Sequence, residues 1–265
     1  MEGMRYALLG DGKRIRPILA LAACEMFGGT EEQCLPTAVA IEMIHTMSLV
    51  HDDLPVMDND DLRRGRPTTH KVYGESVAVL VGDALLAEAF GLIASRTKSV
   101  EPMVVLQVIS RISAAAGMDG LAGGQVRDLE CEKLSKDLVS LEDLQWIHIR
   151  KTAIFLQAAI TCGALLGGAS PEDVIRLEKF ANYVGLAYQV IDDILDVTSS
   201  TEVLGKTAGK DVVAEKATYP SLIGLDQSSA LAKQLIKEAK EGLTPYGDRA
   251  KVLLSIADYV LSRTK

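Results

Sequence analysis

The chain has 265 residues, of which 48% are hydrophobic, a size that suits one large domain or two small ones. Its net charge of −8 argues against nucleic acid as a general partner, because phosphate backbones are bound by basic surfaces. No Gly/Ser linker, low-complexity tract or charge block divides the sequence, so we expect a single domain over residues 1–265. The four cysteines lack metal-site spacing, and with no recognisable signal peptide we expect reduced thiols in a soluble intracellular protein.

Apolar residues recur at intervals of three and four, whereas alternating strand patterns are hard to find. The residues Leu141, Leu144 and Ile147 show this helical spacing. Prolines stand where new helices could begin, at positions 17, 36, 102, 171 and 220. The segment "SPED" (170–173) is typical of a helix start, with Ser170 as the N-cap. About ten helices follow from these patterns, and we predict an all-α, single-domain bundle around a central cavity.

The longest uncharged run, Thr152–Ser170, is nearly long enough to span a bilayer. It contains Gln157 and several glycines and lacks a continuous apolar core. These residues favour a helix buried among other helices, and we expect no transmembrane span.

The first acidic motif is "HDDLPVMDNDDLRRGRPT", which begins at His51 after an apolar helical stretch. Asp52 and Asp58 are six residues apart and would not share a face of a straight helix. Because Pro55 disfavours helix at the preceding residue, the chain can bend there and return Asp58 to the side of Asp52. Asp60 and Asp61 are expected to be surface acids that cap the next turn.

The ligand types in this motif indicate which cation would bind. An EF-hand that began at Asp58 would need glycine at its sixth position and glutamate at its twelfth, but Arg63 and Thr69 stand there. Zinc is disfavoured because the candidate ligands are all carboxylates. Carboxylates alone suit a hard cation, and Mg²⁺ in particular leaves coordination positions for phosphate oxygens.

The second acidic motif is "QVIDDILD", residues 189–196. On a helix, Gln189, Asp192 and Asp196 share one face, whereas Asp193 points elsewhere. The neighbouring residues are apolar, so the helix is predicted to be mostly buried and its carboxylates need partners. No basic residue occurs between positions 180 and 205, so the partner of this motif is either remote in sequence or a metal.

Basic residues form groups that could neutralise the acids or bind phosphate. Besides Arg63, Arg64 and Arg66, the sequence has "GKRIRP" (12–17) and "GKTAGKD" (205–211). The latter is not a P-loop, because it has one residue too few between its glycines. Paired carboxylates beside such groups indicate phosphate ligands bridged by Mg²⁺, with arginine giving bidentate contacts and lysine a point charge.

In their order along the chain, these motifs resemble those of trans-isoprenyl diphosphate synthases. The resemblance rests on "GKRIRP", "HDDLPVMDNDDLRRGRPT", "GGQVRDL", "RKTA", "YQVIDDILD" and "GKTAGKD", and it covers roughly residues 4 to 263. The segments "KVYGES" and "LGKTAGKD" look most like those of the plant plastid geranylgeranyl enzymes. Such enzymes join an allylic diphosphate to isopentenyl diphosphate, head to tail, in an all-α fold of the isoprenoid synthase type.

The resemblance implies a role for each matching position. Two or three Mg²⁺ ions would be held by Asp52, Asp53, Asp58, Asp192 and Asp196. The allylic diphosphate, which is dimethylallyl, geranyl or farnesyl diphosphate, would be bound by Arg63, Lys151, Lys206 and Lys216. Isopentenyl diphosphate would be bound by Lys13, Arg16, His45 and Arg64. The allylic cation would face Thr152 and Gln189, and the active-site wall would include Gln125 and Asp128. Of these residues, the resemblance gives the catalytic roles to Asp52, Asp58, Lys151, Thr152, Gln189 and Asp192.

Product length depends in this family on residues that precede Asp52. Here Ile44, Met47 and Ser48 occupy the positions eight, five and four residues earlier. A ring at either of the last two positions would make a floor, and farnesyl-forming bacterial relatives carry an aromatic there. Without such a ring, the expected main product is geranylgeranyl diphosphate (C20), and a farnesyl or a longer (C25 or above) diphosphate is the alternative.

The sequence departs from the family pattern in two places. Asp11 replaces a glycine of the usual "GGKR", which puts a carboxylate near the expected isopentenyl site. Only eleven residues precede "GKRIRP", so we expect that the family's N-terminal helix is missing. The cellular compartment is therefore not decided by the sequence; we expect a plastid if the source is a plant, and otherwise the cytoplasm.

Two other functions share part of this pattern. Terpene cyclases have the first motif, but their second metal motif differs from "DDILD". A non-catalytic subunit of a heteromeric synthase typically lacks intact acidic motifs, and both are present here. A homodimer is expected, with a heterodimer with a related subunit as the alternative.

Overall fold

The computed structural model describes residues 1–134, 138–198 and 216–263, and helices dominate them. Within these ranges there are thirteen α-helices, of which eleven have seven or more residues. They are α1 (Glu2–Leu8), α2 (Ile15–Met26), α3 (Glu31–Asp52), α4 (Thr69–Tyr73), α5 (Glu75–Arg96), α6 (Pro102–Ala116), α7 (Leu121–Cys131), α8 (Leu141–His148), α9 (Ile154–Leu166), α10 (Pro171–Thr198), α11 (Tyr219–Ile223), α12 (Leu225–Gly242) and α13 (Lys251–Ser262). The prediction of an all-α bundle is confirmed.

Three shorter elements interrupt the bundle. A π-helical turn, Ile149–Ala153, joins α8 to α9, and a 3₁₀ segment, Thr244–Ala250, precedes α13. A two-stranded antiparallel hairpin pairs β1 (Leu62–Arg63) with β2 (Arg66–Pro67) directly after the first acidic motif.

The helix starts follow local capping chemistry. Ser170 and Asp173 form the predicted N-terminal cap of α10, since the Asp173 amide donates to the Ser170 hydroxyl at 3.2 Å and the Ser170 hydroxyl donates to the Asp173 carboxylate at 2.8 Å. The proposed helix start at Pro36 is wrong. Helix α3 begins earlier, where Thr30 and Gln33 form a capping box, and Pro36 lies inside its second turn. There it removes one early backbone hydrogen bond without ending the helix.

Two large apolar clusters form the core. One contains Ile41, Leu85 and Ile112, from α3, α5 and α6. The other contains Phe180 and Ile236, from α10 and α12. Helices α2 and α9 contribute to both clusters and therefore join the two halves of the bundle.

Three stretches of helix could cross a membrane if judged by length and composition alone: Glu75–Arg96, Pro102–Cys131 and Leu141–Leu166. In the third, 67% of the most apolar window is buried inside the protein, and this stretch contains α9. The interpretation of the long uncharged run as a buried helix is therefore confirmed. The absence of a membrane span stays a prediction.

All four cysteines are buried, and none forms a disulfide, as expected for reduced thiols. They are Cys24 on α2, Cys34 on α3, Cys131 on α7 and Cys162 on α9.

Candidate active site

The first acidic motif contains the predicted bend. Helix α3 ends at Asp52, and the amide of Asp58 donates to the Asp52 carbonyl at 2.8 Å, so the chain has turned back on itself. Burial raises the pKa of Asp52 to about 6; Asp58 and Asp53 act in the same direction, whereas Lys151 and Arg63 oppose it. Asp52 is therefore a largely enclosed carboxylate whose charged form is disfavoured mainly by burial, and a bound cation would stabilise that form.

Asp53 and Arg63 lie together, although the resemblance gave them separate ligands. Arg63 Nε donates to Asp53 Oδ1 at 2.9 Å, and Arg63 also contacts Asp60 at 3.2 Å. Asp60 was expected on the surface, but its side chain is only 19% exposed because the bend carries it inward. Asp61 is exposed as expected and pairs with Lys71 at 2.8 Å.

Lys151 and Thr152 occupy the π-helical turn between α8 and α9. Two glycines from other helices approach this turn closely. A Cβ atom on Gly124 of α7 would lie 2.5 Å from the Lys151 backbone nitrogen, and one on Gly185 of α10 would lie 2.5 Å from the Ala153 Cβ. No local sequence pattern predicts this turn, although "GGQVRDL" contains one of the two glycines.

Asp128 joins two of the lysines that were predicted to bind diphosphate. Lys151 Nζ lies 2.7 Å from one of its oxygens, and Lys216 Nζ lies 2.9 Å from the other and 3.0 Å from Glu132. Burial alone would raise the pKa of Asp128, but the two lysines lower it to about 2. Nearby on α7, neither amide atom of Gln125 has a hydrogen-bond partner within the described ranges, although both are buried.

Three of the residues predicted for isopentenyl diphosphate also lie together. Arg16 Nη1 is 3.3 Å from His45 Nε2. Burial, followed by the charges of Arg16 and Arg64, lowers the pKa of His45 well below its ordinary value, so the imidazole is neutral. Arg64 packs on Gly12, where a Cβ atom would lie 2.6 Å from its Nη1. The fourth residue, Lys13, is exposed in the loop before α2.

Arg14 has a structural role that sequence reasoning missed. It forms an ion pair with Glu42, and its Nη2 donates to the Leu8 carbonyl at 2.8 Å. Its backbone is left-handed, with φ of 51°, at the position immediately before α2. The pattern "KRIR" predicted a basic group but not which arginine would face inward.

The second acidic motif lies on the last turns of α10, and its remote partner is Arg263. Arg263 Nη2 donates to Asp192 Oδ1 at 2.6 Å, while Gln189 Nε2 lies 3.4 Å from Asp192 Oδ2. Asp193 points elsewhere as predicted, because it accepts the Tyr219 amide at 2.9 Å. Asp196 is buried, and its Oδ2 lacks a partner among residues 1–134, 138–198 and 216–263.

Arg16 connects the two halves of the candidate site. It contacts His45 on α3, and it is near enough to Asp192 on α10 for that carboxylate to raise its pKa against the effect of burial. Whether Asp52 and Asp192 face one another across a cavity stays a prediction. Lys206 and the segment "GKTAGKD" (205–211) lie outside the described residues.

The residues proposed to set product length lie in the apolar interior of α3. Ile44 and Met47 belong to the same cluster as Phe155, which follows Thr152 by three residues. Ser48 is buried, and its hydroxyl donates to the His45 carbonyl at 2.9 Å. That these residues form the floor of the cavity for the growing product stays a prediction.

Comparison with known sequences decides the family. The sequence model of the Polyprenyl synthetase family matches residues 1–252. The chain belongs to the polyprenyl synthetase family. It is 54% identical over 99% of its length to a chloroplastic geranylgeranyl pyrophosphate synthase of Catharanthus roseus, covering 73% of that protein. It is 52% identical over 99% of its length to the large subunit 1 of a chloroplastic heterodimeric geranylgeranyl pyrophosphate synthase of Arabidopsis thaliana, covering 71% of that protein.

A solved polyprenyl synthetase relative has the same fold. The geranyltransferase of Helicobacter pylori, complexed with magnesium and isoprenyl diphosphate, superposes with a TM-score of 0.86 at 34% identity, over 98% of this chain and 86% of that one. Together with the relatives of more than 50% identity, this makes the protein a trans-prenyltransferase.

Polyprenyl synthetases use a divalent metal, and the residues described here suit one. No three His, Cys, Asp or Glu side chains in these ranges converge into a complete metal cage. Mg²⁺ does not need one, because it binds through one or two carboxylates and completes its shell with water and phosphate oxygens. The buried Asp52 beside Asp58 and the unpartnered oxygen of Asp196 provide carboxylates of that kind.

Proposed function

We propose that this polyprenyl synthetase condenses allylic diphosphates with isopentenyl diphosphate, head to tail, and that its main product is geranylgeranyl diphosphate. The observation that carries the proposal is the position of Lys151. Its ammonium lies beside the acidic bend at Asp52 and bonds Asp128 at 2.7 Å. A cation beside paired carboxylates suits a diphosphate bridged to the protein by metal.

The carboxylates would hold the metal. Asp52, Asp58 and Asp192 are the proposed principal ligands of two or three Mg²⁺ ions, with Asp53 and Asp196 nearby or acting through water. Bound Mg²⁺ supplies positive charge that stabilises the departing diphosphate. The H. pylori relative, complexed with magnesium and isoprenyl diphosphate, supports this assignment.

The lysines would bind the allylic diphosphate. Lys151 and Lys216 share Asp128, so their ammonium groups are held in place before the ligand arrives. Arg63 and Lys206 complete the proposed set. When the carbon–oxygen bond breaks, an allylic cation forms, and Thr152 and Gln189 would face it while the aliphatic interior excludes water.

The isopentenyl diphosphate would lie against Arg16, His45 and Arg64, with Lys13 from the neighbouring loop. Neutral His45 can donate one hydrogen bond to a phosphate oxygen, while the arginines supply the charge. The double bond of isopentenyl diphosphate attacks the allylic carbon and forms the new carbon–carbon bond. The released pyrophosphate then accepts the proton lost from the adjacent carbon.

The length of the product would depend on the space beneath Asp52. Met47 and Ser48 leave room that a ring would close, which favours the C20 product. Farnesyl or longer (C25 or above) diphosphates are the alternative products. Phe155 is buried in the same cluster as Met47 and is the aromatic nearest in sequence to the π turn. It would limit the space for the product on the side opposite Met47.

The assembly is proposed to be a dimer formed through α5 and α6. These helices expose large apolar side chains, including Leu80 (65%), Met103 (64%) and Leu106 (58%). Isolated chains seldom expose such a surface, and it marks an interaction site. The Arabidopsis relative is named as a subunit of a heterodimer, so the second subunit is either another copy or a related chain. We further propose one domain over residues 1–265 and a location in the plastid if the source is a plant, otherwise in the cytoplasm.

Incubation of the purified protein with Mg²⁺, isopentenyl diphosphate and each allylic starter tests the proposal. We expect a C20 diphosphate from all three starters and none after chelation of the metal. Hydrocarbon in place of a longer diphosphate would indicate a cyclase. No product, under conditions in which a related synthase is active, would indicate a non-catalytic subunit.

A further inference from the structure

The π-helical turn Ile149–Ala153 is an irregular element inside an otherwise continuous helix. The amide of Ile154 donates to the Ile149 carbonyl, five residues earlier, instead of four as in an α-helix. Single turns of this kind are rare and cluster at functional sites, because the extra residue moves side chains out of the regular register. Here the side chains concerned are Lys151 and Thr152.

Two glycines hold this turn from different helices. A Cβ atom on Gly124 would be 2.5 Å from the backbone nitrogen and 2.9 Å from the Cα of Lys151. One on Gly185 would be 2.5 Å from the Cβ and 2.6 Å from the Cα of Ala153. Both contacts are with backbone or the first side-chain carbon, so no flexible side chain can move aside. Any larger residue would displace the turn or the helix beside it.

Glycine inside a helix carries a cost that calls for an explanation. It destabilises a helix by about 1 kcal/mol relative to alanine. Gly185 lies in the middle of the 28-residue helix α10, where alanine would be the better helix former. The close approach to Ala153 explains why glycine stands there.

Each glycine also precedes a candidate active-site residue by one helical turn. Asp128 follows Gly124 by four positions on α7, and Gln189 follows Gly185 by four positions on α10. Residues four apart share a helix face, so the face that contacts the turn also carries the polar side chain. Asp128 accordingly bonds Lys151 at 2.7 Å.

We propose that Gly124 and Gly185 are positioning residues, which set the π turn at the depth where Lys151 lies against Asp128 and hold α10, which carries Gln189, against the turn. Neither glycine touches substrate. Each acts through the backbone contact that fixes the distance between its helix and the turn. This inference rests on the proposed function, since it assigns the turn to the allylic half of the reaction.

The test adds a methyl group where Gly185 contacts Ala153. Gly185→Ala should lower kcat about 10- to 100-fold, because a displacement of about 1 Å near the reacting groups costs that much. The KM for isopentenyl diphosphate should stay within about twofold, because Arg16, His45 and Arg64 lie on other elements. Adding Ala153→Gly removes the Ala153 Cβ at 2.5 Å but keeps the Cα at 2.6 Å, so the double variant should recover only a small part of the lost kcat.

Gly163→Ala is the matched control. Its Cβ would meet the Ala20 carbonyl oxygen at 2.0 Å, so it strains α9 against α2 far from the turn. It should lower the melting temperature as Gly185→Ala does, yet change kcat by no more than about twofold. Equal kcat losses in the two single variants would show a packing effect alone and overturn the inference.

Two further variants keep the test decisive if Gly185→Ala fails to fold. Gly124→Ala perturbs the same turn from α7, and Ala153→Gly loosens it without any clash. Ala153→Gly should lower kcat about threefold at unchanged KM; an unchanged kcat would overturn the inference. If the wild-type protein makes no longer diphosphate at all, it is the proposed function that fails, so the two failures are distinguishable.

Discussion

Replacing Asp128 with asparagine removes the carboxylate that holds Lys151 and Lys216 together. The side chain is only 6% exposed, and both lysines lie within 3.0 Å of its oxygens. Asparagine keeps the shape but carries no charge, so two lysines that are largely buried lose their shared counter-ion. We expect the variant to be less stable, by an amount that depends on pH.

The magnitude follows from the pKa of Asp128, which falls from an ordinary 3.8 to about 2 in the folded protein. A difference of about two units between the folded and unfolded pKa corresponds to about 2 to 3 kcal/mol of unfolding free energy. Because the folded pKa is the lower one, this stability is fully present above pH 4 and is lost as pH falls through about 2. The difference between wild type and variant should therefore be about 2 to 3 kcal/mol at pH 7 and about 1 kcal/mol at pH 3.

Urea unfolding of both proteins at pH 7 and at pH 3 measures this difference. Glu132→Gln is the matched control, since Glu132 pairs with the same Lys216 but is 36% exposed, and its loss should cost less than about 1 kcal/mol. Equal losses in the two variants, or a loss for Asp128→Asn that does not change with pH, would refute the interpretation of Asp128 as a buried ionic centre.

Three other predictions follow from the site and the surface. Asp192→Asn should lower kcat about 100-fold or more, because a charged metal ligand is lost, whereas Asp61→Asn, on the exposed surface, should leave steady-state kinetics unchanged. Met47→Tyr should shorten the main product by filling the space beneath Asp52. An unaltered product length in chromatography would contradict the role of position 47 as the floor of that space. Leu80→Lys should convert a dimer into monomers in light scattering if α5 forms the interface; a mass that does not change would place the contact elsewhere.

Much of the fold could be predicted because its signals are local. Spacing at threes and fours identified the helices, and Ser170 with Asp173 identified the start of α10. Pro55 predicted the bend because its ring restricts the residue before it, a constraint that does not depend on the rest of the chain. Pro36 gave a wrong helix start, because a proline is tolerated near the beginning of a helix and does not mark its first residue.

The missed parts of the candidate site depend on contacts between distant segments. Arg263 is 71 residues from Asp192, and nothing near either residue indicates the pairing. The π turn depends on how closely α7 and α10 approach it, which is decided by Gly124 and Gly185 on other helices. Even Lys151 was identified by family resemblance, while its bond to Asp128 became visible only in the folded chain.

The burial of the four cysteines makes their thiols reporters of local unfolding. A thiol reagent can modify Cys24 or Cys162 only when the helices around them separate, because both side chains are fully enclosed. Cys131 lies at the end of α7 and would react when that helix frays beside Asp128. The order of modification, followed by mass spectrometry with and without diphosphate, would show whether the end of α7 frays before the cluster around Cys24 and Cys162 opens, and which of the two the ligand holds closed.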